Sequence, residues 1–402
     1  MSHVVVIGAG QAGAALVARL RAKGHQGPIT LIGDEPVAPY QRPPLSKAYL
    51  LGEMTADRLM LRSDEFYAEQ GITLRLGTPV TAIDIAARTV TLGDEVVSYD
   101  ELALTTGSIP RKLPAPIGGD LGGVYTVRTL ADIDAARSEF REGARTVIIG
   151  GGYIGLEAAA VAAKLGLDVT VVEMAPRILQ RVAAAETSDF VRALHGGKGV
   201  KVLESVGLDR LVGEDDRVVA AKLTDGREIP SDFVIVGVGI QPATALAEKA
   251  GLMIENGIRT DERGRTSAPH VWAAGDCASF PWQGGRLRLE SVQNAIDQAE
   301  LVADNILGSE TDYVPVPWFW SDQFDTKLQI AGLNTGYDRI VTRPGEDGAV
   351  SHWYFKGDQL LAVDAMNDPR AYMVGKRLLE MGRSVDPVAI ADPTVVLKTL
   401  LK

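Results

Sequence analysis

One glycine pattern occurs twice in this chain, each time between a short apolar run and an alanine-rich stretch. Gly8-Ala9-Gly10-Gln11-Ala12-Gly13 follows His3-Val4-Val5-Val6-Ile7; Gly150-Gly151-Gly152-Tyr153-Ile154-Gly155 follows Thr146-Val147-Ile148-Ile149, 142 residues later. Unbroken apolar runs of this length read as parallel strands buried on both faces. In such a unit the first glycine permits the tight strand-to-helix turn. The second admits a pyrophosphate to bare backbone, and the third lets helix and strand pack closely. Each unit also ends in a second strand with an acid at its tip, placed to accept from an adenosine ribose. These are Asp34 and Glu35 after Ile29-Thr30-Leu31-Ile32-Gly33, and Glu173 after Val169-Thr170-Val171-Val172. A lone pattern would be weak in a chain with 43 glycines. Two complete units predict a protein that holds two dinucleotides and passes electrons between them.

Composition narrows the field. At 402 residues the chain has room for two or three domains. No apolar run reaches membrane-spanning length. The first strand begins directly after Met1-Ser2, which leaves no room for a signal peptide and sets the expectation of a cytoplasmic address. A net charge of −11 argues against nucleic acid and against an anionic membrane surface. Cys277 is the only cysteine, which excludes a disulfide framework, a CxxC redox pair and a cysteine-ligated iron–sulfur cluster. The five histidines stand at no metal-ligand spacing, so no metal site is expected.

Along the chain, Pro36–Ser46 reads as a loop and Ser63–Gln70 as a helix, with short strands near 72–76, 88–92 and 101–105. Prolines and glycines from 110 to 123 read as a linker. Strands are expected near 200–203, 217–223 and 232–236. The apolar runs Val234–Ile240 and Val271–Asp276 suggest a return to the first domain. From Trp318 onward the texture turns aromatic and β-rich. The expected fold is therefore α/β, with two Rossmann-like dinucleotide-binding domains and a C-terminal α+β domain. The expected boundaries are 1–112 with 236–314, then 113–235, then 315–402.

Several runs carry a family resemblance over essentially the whole length: Arg42-Pro43-Pro44-Leu45-Ser46-Lys47, Gly150–Glu157, Ala274-Gly275-Asp276, Glu290-Ser291-Val292-Gln293-Asn294-Ala295 and Pro317-Trp318-Phe319-Trp320-Ser321-Asp322-Gln323. The chain resembles the two-dinucleotide flavoprotein reductases related to glutathione reductase. More narrowly, it is similar to NADH-dependent ferredoxin reductases of the putidaredoxin and palustrisredoxin reductase type. The resemblance implies FAD on the first glycine unit, NADH on the second, and a third domain covering the flavin.

The resemblance also implies roles for single residues. The first fingerprint (Gly8, Gly10, Ala12, Gly13) with Asp34 and Glu35 would hold FAD. The second (Gly150, Gly152, Gly155) with Glu173 would hold the nicotinamide cofactor, and the Glu173 carboxylate would repel a 2′-phosphate. Arg177, four residues on, would soften that repulsion. Asp276 would contact the ribityl chain, or alternatively cap a following helix. Arg42, Arg128, Val80 and Val292 match positions contacting FAD, although alone they read as solvated charges and core valines. Lys47 would sit at the reactive edge of the flavin, where a cation stabilises the charge of reduction. Glu157, on an otherwise apolar helix, needs a partner, and the resemblance pairs it with Lys47. Tyr153 would gate the flavin or simply pack against the turn. Trp320 would reach the flavin or belong to a core.

With no dithiol, electrons cannot pass through sulfur as in glutathione-type reductases. Direct single-electron transfer from the flavin to a [2Fe–2S] ferredoxin is the expectation, in service of a cytochrome P450 or a ring-hydroxylating dioxygenase. A rubredoxin, quinone or oxygen acceptor is the alternative, as is a protein that keeps FAD only as structure. A monomer is expected.

Overall fold

The computed structural model describes residues 2–402. The chain divides into two compact units, one comprising residues up to Arg42 with Thr55–Ile109 and Ile240–Pro315, the other Pro43–Met54, Pro110–Gly239 and Val316–Lys402.

The first unit is built on a five-stranded parallel sheet in the order 271–273, 101–104, 4–7, 29–32, 72–75. Its central strand is apolar at every position because both faces are covered. Val4 and Val6 pack against Leu16, Val17 and Leu20 of the helix Gln11–Ala22 and against Val302 and Ala303 of the helix Val292–Ile306. Val5 and Ile7 face the other way, with Ile83, Val90 and Leu92 of a small antiparallel sheet (80–84, 89–92, 95–98). Strand order reverses at the central strand, so the turns after Ile7 and Leu104 open onto one crevice at the carboxyl ends, where such sheets bind ligands.

The second unit repeats the design, in the order 201–203, 168–172, 145–149, 233–236, 124–125, all parallel. The run Val234–Ile240 spans the crossing between the units. Its strand Phe233–Val236 completes the second sheet beside Arg145–Ile149, with Val234 and Val236 on the same face as Val147 and Ile149, and Ile240 begins the return to the first unit. Only the later strand, Val271–Ala273, joins the first sheet. The strands Val80–Asp84, Glu95–Ser98 and Leu208–Glu214 escaped the sequence reading because their exposed positions carry no apolar period.

The same unit holds the C-terminal region, an antiparallel sheet in the order 318–323, 326–332, 359–366, 350–356, 339–344. The helix Pro369–Glu380 lies on one face of it, where Trp353, Phe355 and Val363 meet Ala371, Tyr372 and Leu378. Strand alternation turns Tyr354 to the opposite face, against Ala184 and Ala362. Among the described residues no helix is long and apolar enough to cross a membrane.

Candidate functional site

The first glycine turn has the division of labour that its spacing predicts. Gly8 adopts φ +115°, and a Cβ there would overlap the Thr105 carbonyl. The Thr105 hydroxyl ties this turn down by donating to the Gly8 carbonyl at 2.9 Å. A Cβ on Gly13 would run into the Gly8 carbonyl, so helix and strand touch backbone to backbone. Gly10 differs: nothing lies within 4 Å of where its Cβ would be. It precedes a twelve-residue helix whose first turn has neither a side-chain cap nor an acid. Open approach, uncapped N–H groups and an uncompensated helix dipole together leave an open cradle that could hold a pyrophosphate.

The acids after the second strand differ in their surroundings. Asp34 is exposed. The Glu35 carboxylate accepts from Arg42 and from the Tyr40 hydroxyl, both at 2.6 Å, and the Arg42 guanidinium lies over the Tyr40 ring at 5.0 Å. Asp276 follows the strand Val271–Ala273 and accepts from the Ser108 hydroxyl at 2.8 Å. It caps no helix, since the strand Ala278–Trp282 comes next. Val80 opens an antiparallel strand and Val292 opens a helix. Both are half-buried. Tyr40 and Ser108 were missed at the sequence level because neither lies in a motif.

The second cradle repeats the first. Gly150 sits at φ +107° beneath the Gly237 carbonyl, Gly155 packs on the Gly150 carbonyl, and Gly152 faces open space at the uncapped start of the helix Tyr153–Lys164. Glu173 braces this loop: its two oxygens accept from the Gly151 and Ala175 amides, each at 2.7 Å. The Arg177 guanidinium is tied to Ser188 Oγ at 2.6 Å and to the Ala184 carbonyl at 3.1 Å. Arg128 precedes the capped helix Leu130–Ala136, its amide donating to Asp132 at 3.0 Å.

This unit also holds a largely buried ion pair. Glu157 is 2% exposed, and its Oε2 lies 2.7 Å from the Lys47 ammonium. Two hydroxyls complete its shell: Ser46 Oγ donates to Oε2 and Ser321 Oγ to Oε1, both at 2.7 Å. Ser46 ends the short 3-10 turn Pro43–Ser46, which presents its hydroxyl to Glu157. A buried carboxylate is tolerated only with such partners, and removing one side of a buried pair typically costs about 3–5 kcal/mol.

Two periodicities bring this cluster together. Tyr153 and Glu157 stand four residues apart on one face of their helix. Phe319, Ser321 and Gln323 alternate on one face of the strand Trp318–Gln323. Phe319 meets the Tyr153 ring at 4.9 Å between centroids, Ser321 meets Glu157, and Gln323 meets His195 of the helix Ala185–Gly197. Trp320 stands on the opposite face, half-buried, 5.6 Å from the Trp318 ring. The Tyr153 hydroxyl is buried without a hydrogen-bond partner, and burial pushes its pKa well up.

Cys277 is fully buried, with Sγ 3.4 Å from the Ala274 carbonyl and 3.5 Å from that of Leu104. Burial raises the pKa of its thiol. That is an inert environment for sulfur.

Comparison with known proteins agrees with this architecture. Residues 2–299 match the pyridine nucleotide-disulphide oxidoreductase family, and residues 318–401 match the reductase C-terminal family. A ferredoxin–NAD(P)(+) reductase of a Sphingomonas species is 43% identical, over 99% of this chain and 97% of its own. Rhodocoxin reductase of Rhodococcus erythropolis is 42% identical, over 98% of this chain and 93% of its own. The crystal structure of a covalent putidaredoxin reductase–putidaredoxin complex superposes with a TM-score of 0.96 at 40% identity, covering 100% of this chain and 98% of that one. Two glycine cradles on parallel sheets, an antiparallel C-terminal sheet and these full-length matches place the chain in the pyridine nucleotide-disulphide oxidoreductase family, with a reductase-type C-terminal domain.

Proposed function

We propose that the chain is an FAD-dependent NADH:ferredoxin oxidoreductase that delivers single electrons to a [2Fe–2S] ferredoxin, in service of a cytochrome P450 or a ring-hydroxylating dioxygenase. One observation carries this reading. A single polypeptide presents two dinucleotide cradles while its only thiol is buried, so any electron route must leave without sulfur. A bound flavin supplies the chemistry, accepting hydride from a nicotinamide and releasing electrons one at a time.

The residues divide that work. Gly8, Gly10, Ala12 and Gly13, with Asp34, Glu35, Arg42, Val80, Arg128, Asp276 and Val292, bind FAD. Gly150, Gly152, Gly155 and Glu173 bind NADH. Lys47 is the cation that stabilises charge arriving on the flavin, and Glu157 holds it in place. Tyr153 gates the nicotinamide position, which fits a hydroxyl left buried without a partner. Trp320 supplies an aromatic surface from the C-terminal region. The proposed domains are FAD-binding segments 1–112 and 236–314, an NAD-binding segment 113–235, and residues 315–402 as the cover. A cytoplasmic, monomeric protein completes the reading.

Steady-state assays that offer a [2Fe–2S] ferredoxin, a rubredoxin, a quinone and oxygen as rival acceptors test it. Preferential reduction of the ferredoxin supports the proposal, and preference for another acceptor replaces it.

A further inference from the structure

Beyond the ion pair, a chain of buried polar side chains continues away from Glu157, and its direction follows from chemistry alone. Glu157, as a carboxylate, offers only acceptors. Ser321 Oγ, 2.7 Å from Oε1, must therefore spend its one proton there, which leaves its lone pairs for Gln323. Gln323 Nε2 donates to that oxygen at 3.1 Å. Its carbonyl must then face His195, whose Nε2 lies 2.8 Å from Oε1 and so carries the ring proton. Nδ1 is left with a bare lone pair, and Nδ1 is indeed the buried ring atom that has no partner. Burial lowers the His195 pKa against the opposing pull of the Gln323 hydrogen bond, which disfavours the charged ring. Ser321, Gln323 and His195 are 0%, 3% and 0% exposed, so bulk solvent does not reach these bonds.

We propose that Ser321, Gln323 and His195 are positioning residues for the Lys47–Glu157 pair: a one-way chain of hydrogen bonds, anchored at the His195 ring, that aims the Ser321 hydroxyl at Glu157 and so sets how completely the carboxylate neutralises the Lys47 ammonium. The inference rests on the reading of Lys47 as the cation beside a bound flavin. Each hydroxyl that shares the carboxylate charge leaves more of the lysine field free to stabilise the reduced cofactor. Taking one away concentrates the carboxylate charge on Lys47.

The test is the midpoint potential of the flavin in the loaded protein. Ser321→Ala is expected to make two-electron reduction about tenfold less favourable, a shift of ~30 mV to more negative potential. Ser46→Ala should move it the same way. Gln323→Met and His195→Phe should do so by less, since the serine proton can still find Glu157. Ser321→Thr keeps the hydroxyl and should keep the potential of the unaltered protein. An unchanged or more positive potential in flavin-bearing Ser321→Ala overturns the proposal. Nitrogen NMR of the His195 ring is a second readout that needs no electron transfer. A neutral ring protonated at Nε2 is expected, and a proton on Nδ1 or a charged ring at neutral pH overturns it. Failure of the underlying functional reading would look different: a protein that holds no flavin, in which the ring measurement still decides the direction of the chain.

Discussion

The Lys47 ammonium and the Glu157 carboxylate meet at 2.7 Å, in a setting where the acid is almost wholly withdrawn from water. The lysine is itself only 19% exposed. Glu157→Gln keeps the shape but removes the charge that anchors Lys47, and its amide nitrogen can no longer accept from one of the two serine hydroxyls. An unanchored Lys47 loses its place beside the flavin, which outweighs the field that the carboxylate no longer neutralises. Flavin reduction by NADH should therefore slow by about tenfold or more, roughly 1.4 kcal/mol of transition-state stabilisation. Rapid-mixing kinetics under anaerobic conditions measure this, and an unchanged rate removes the pair from the mechanism.

Coenzyme choice is expected to rest on Glu173. Its carboxylate braces the Gly151 and Ala175 amides, and Arg177 is turned to Ser188 and Ala184 rather than offered to a phosphate. Glu173→Ser should lower the ratio of kcat/KM for NADH over NADPH by about tenfold, since both a ribose acceptor and a phosphate repulsion disappear. Steady-state kinetics with the two coenzymes check it.

The glycines of the first cradle should fail in different ways. Gly13→Ala forces a methyl into the Gly8 carbonyl, so the thermal midpoint should fall with a loss of about 1–3 kcal/mol or more. Gly10→Ala meets open space and a permitted backbone conformation, so the fold should survive while flavin affinity drops. Calorimetry and flavin content, measured on both variants, separate the two roles. Equal losses of stability would contradict them.

Asp364 gives a pH signature. It is 1% exposed, accepts from the Thr187 hydroxyl at 2.8 Å and from the Tyr354 hydroxyl, and burial pushes its pKa from 3.8 up to about 6 despite those bonds. Between those values the folded protein binds the proton that the unfolded chain has released, so its contribution is fully present below 3.8 and is lost as pH rises through about 6. A shift of about two units is worth roughly 3 kcal/mol. Unfolding of Asp364→Asn and the unaltered protein, compared at about pH 4 and about pH 7, should show the unaltered protein losing ground to the variant at the higher pH. A pH-independent difference would contradict this.

The two nucleotide units were legible in the sequence because their function demands bare backbone, and only glycine supplies it at Gly8, Gly10 and Gly13. Glu157 was legible for the opposite reason, as one charge among alanines that required a partner. The run Val234–Ile240 was harder to place, because an apolar run does not say which sheet it completes. Ser46, Ser321, Gln323 and His195 were invisible as a set: ordinary polar residues that gain meaning only when a helix period of four and a strand period of two align across a packed interface. His195 in particular reads as a scattered histidine until Gln323 is placed beside it.

On the proposed function, hydride enters and electrons leave through a bound flavin with no thiol taking part. The direct measurement is anaerobic: NADH is added to the flavin-loaded Cys277→Ala protein, followed by an oxidised [2Fe–2S] ferredoxin, and the visible spectra of both are followed. The expected result is bleaching of the flavin and reduction of the ferredoxin at rates matching the unaltered protein, since Cys277 is buried and inert. A purified protein that is colourless and refuses added flavin, or a variant that takes up hydride yet cannot pass electrons on, would contradict it.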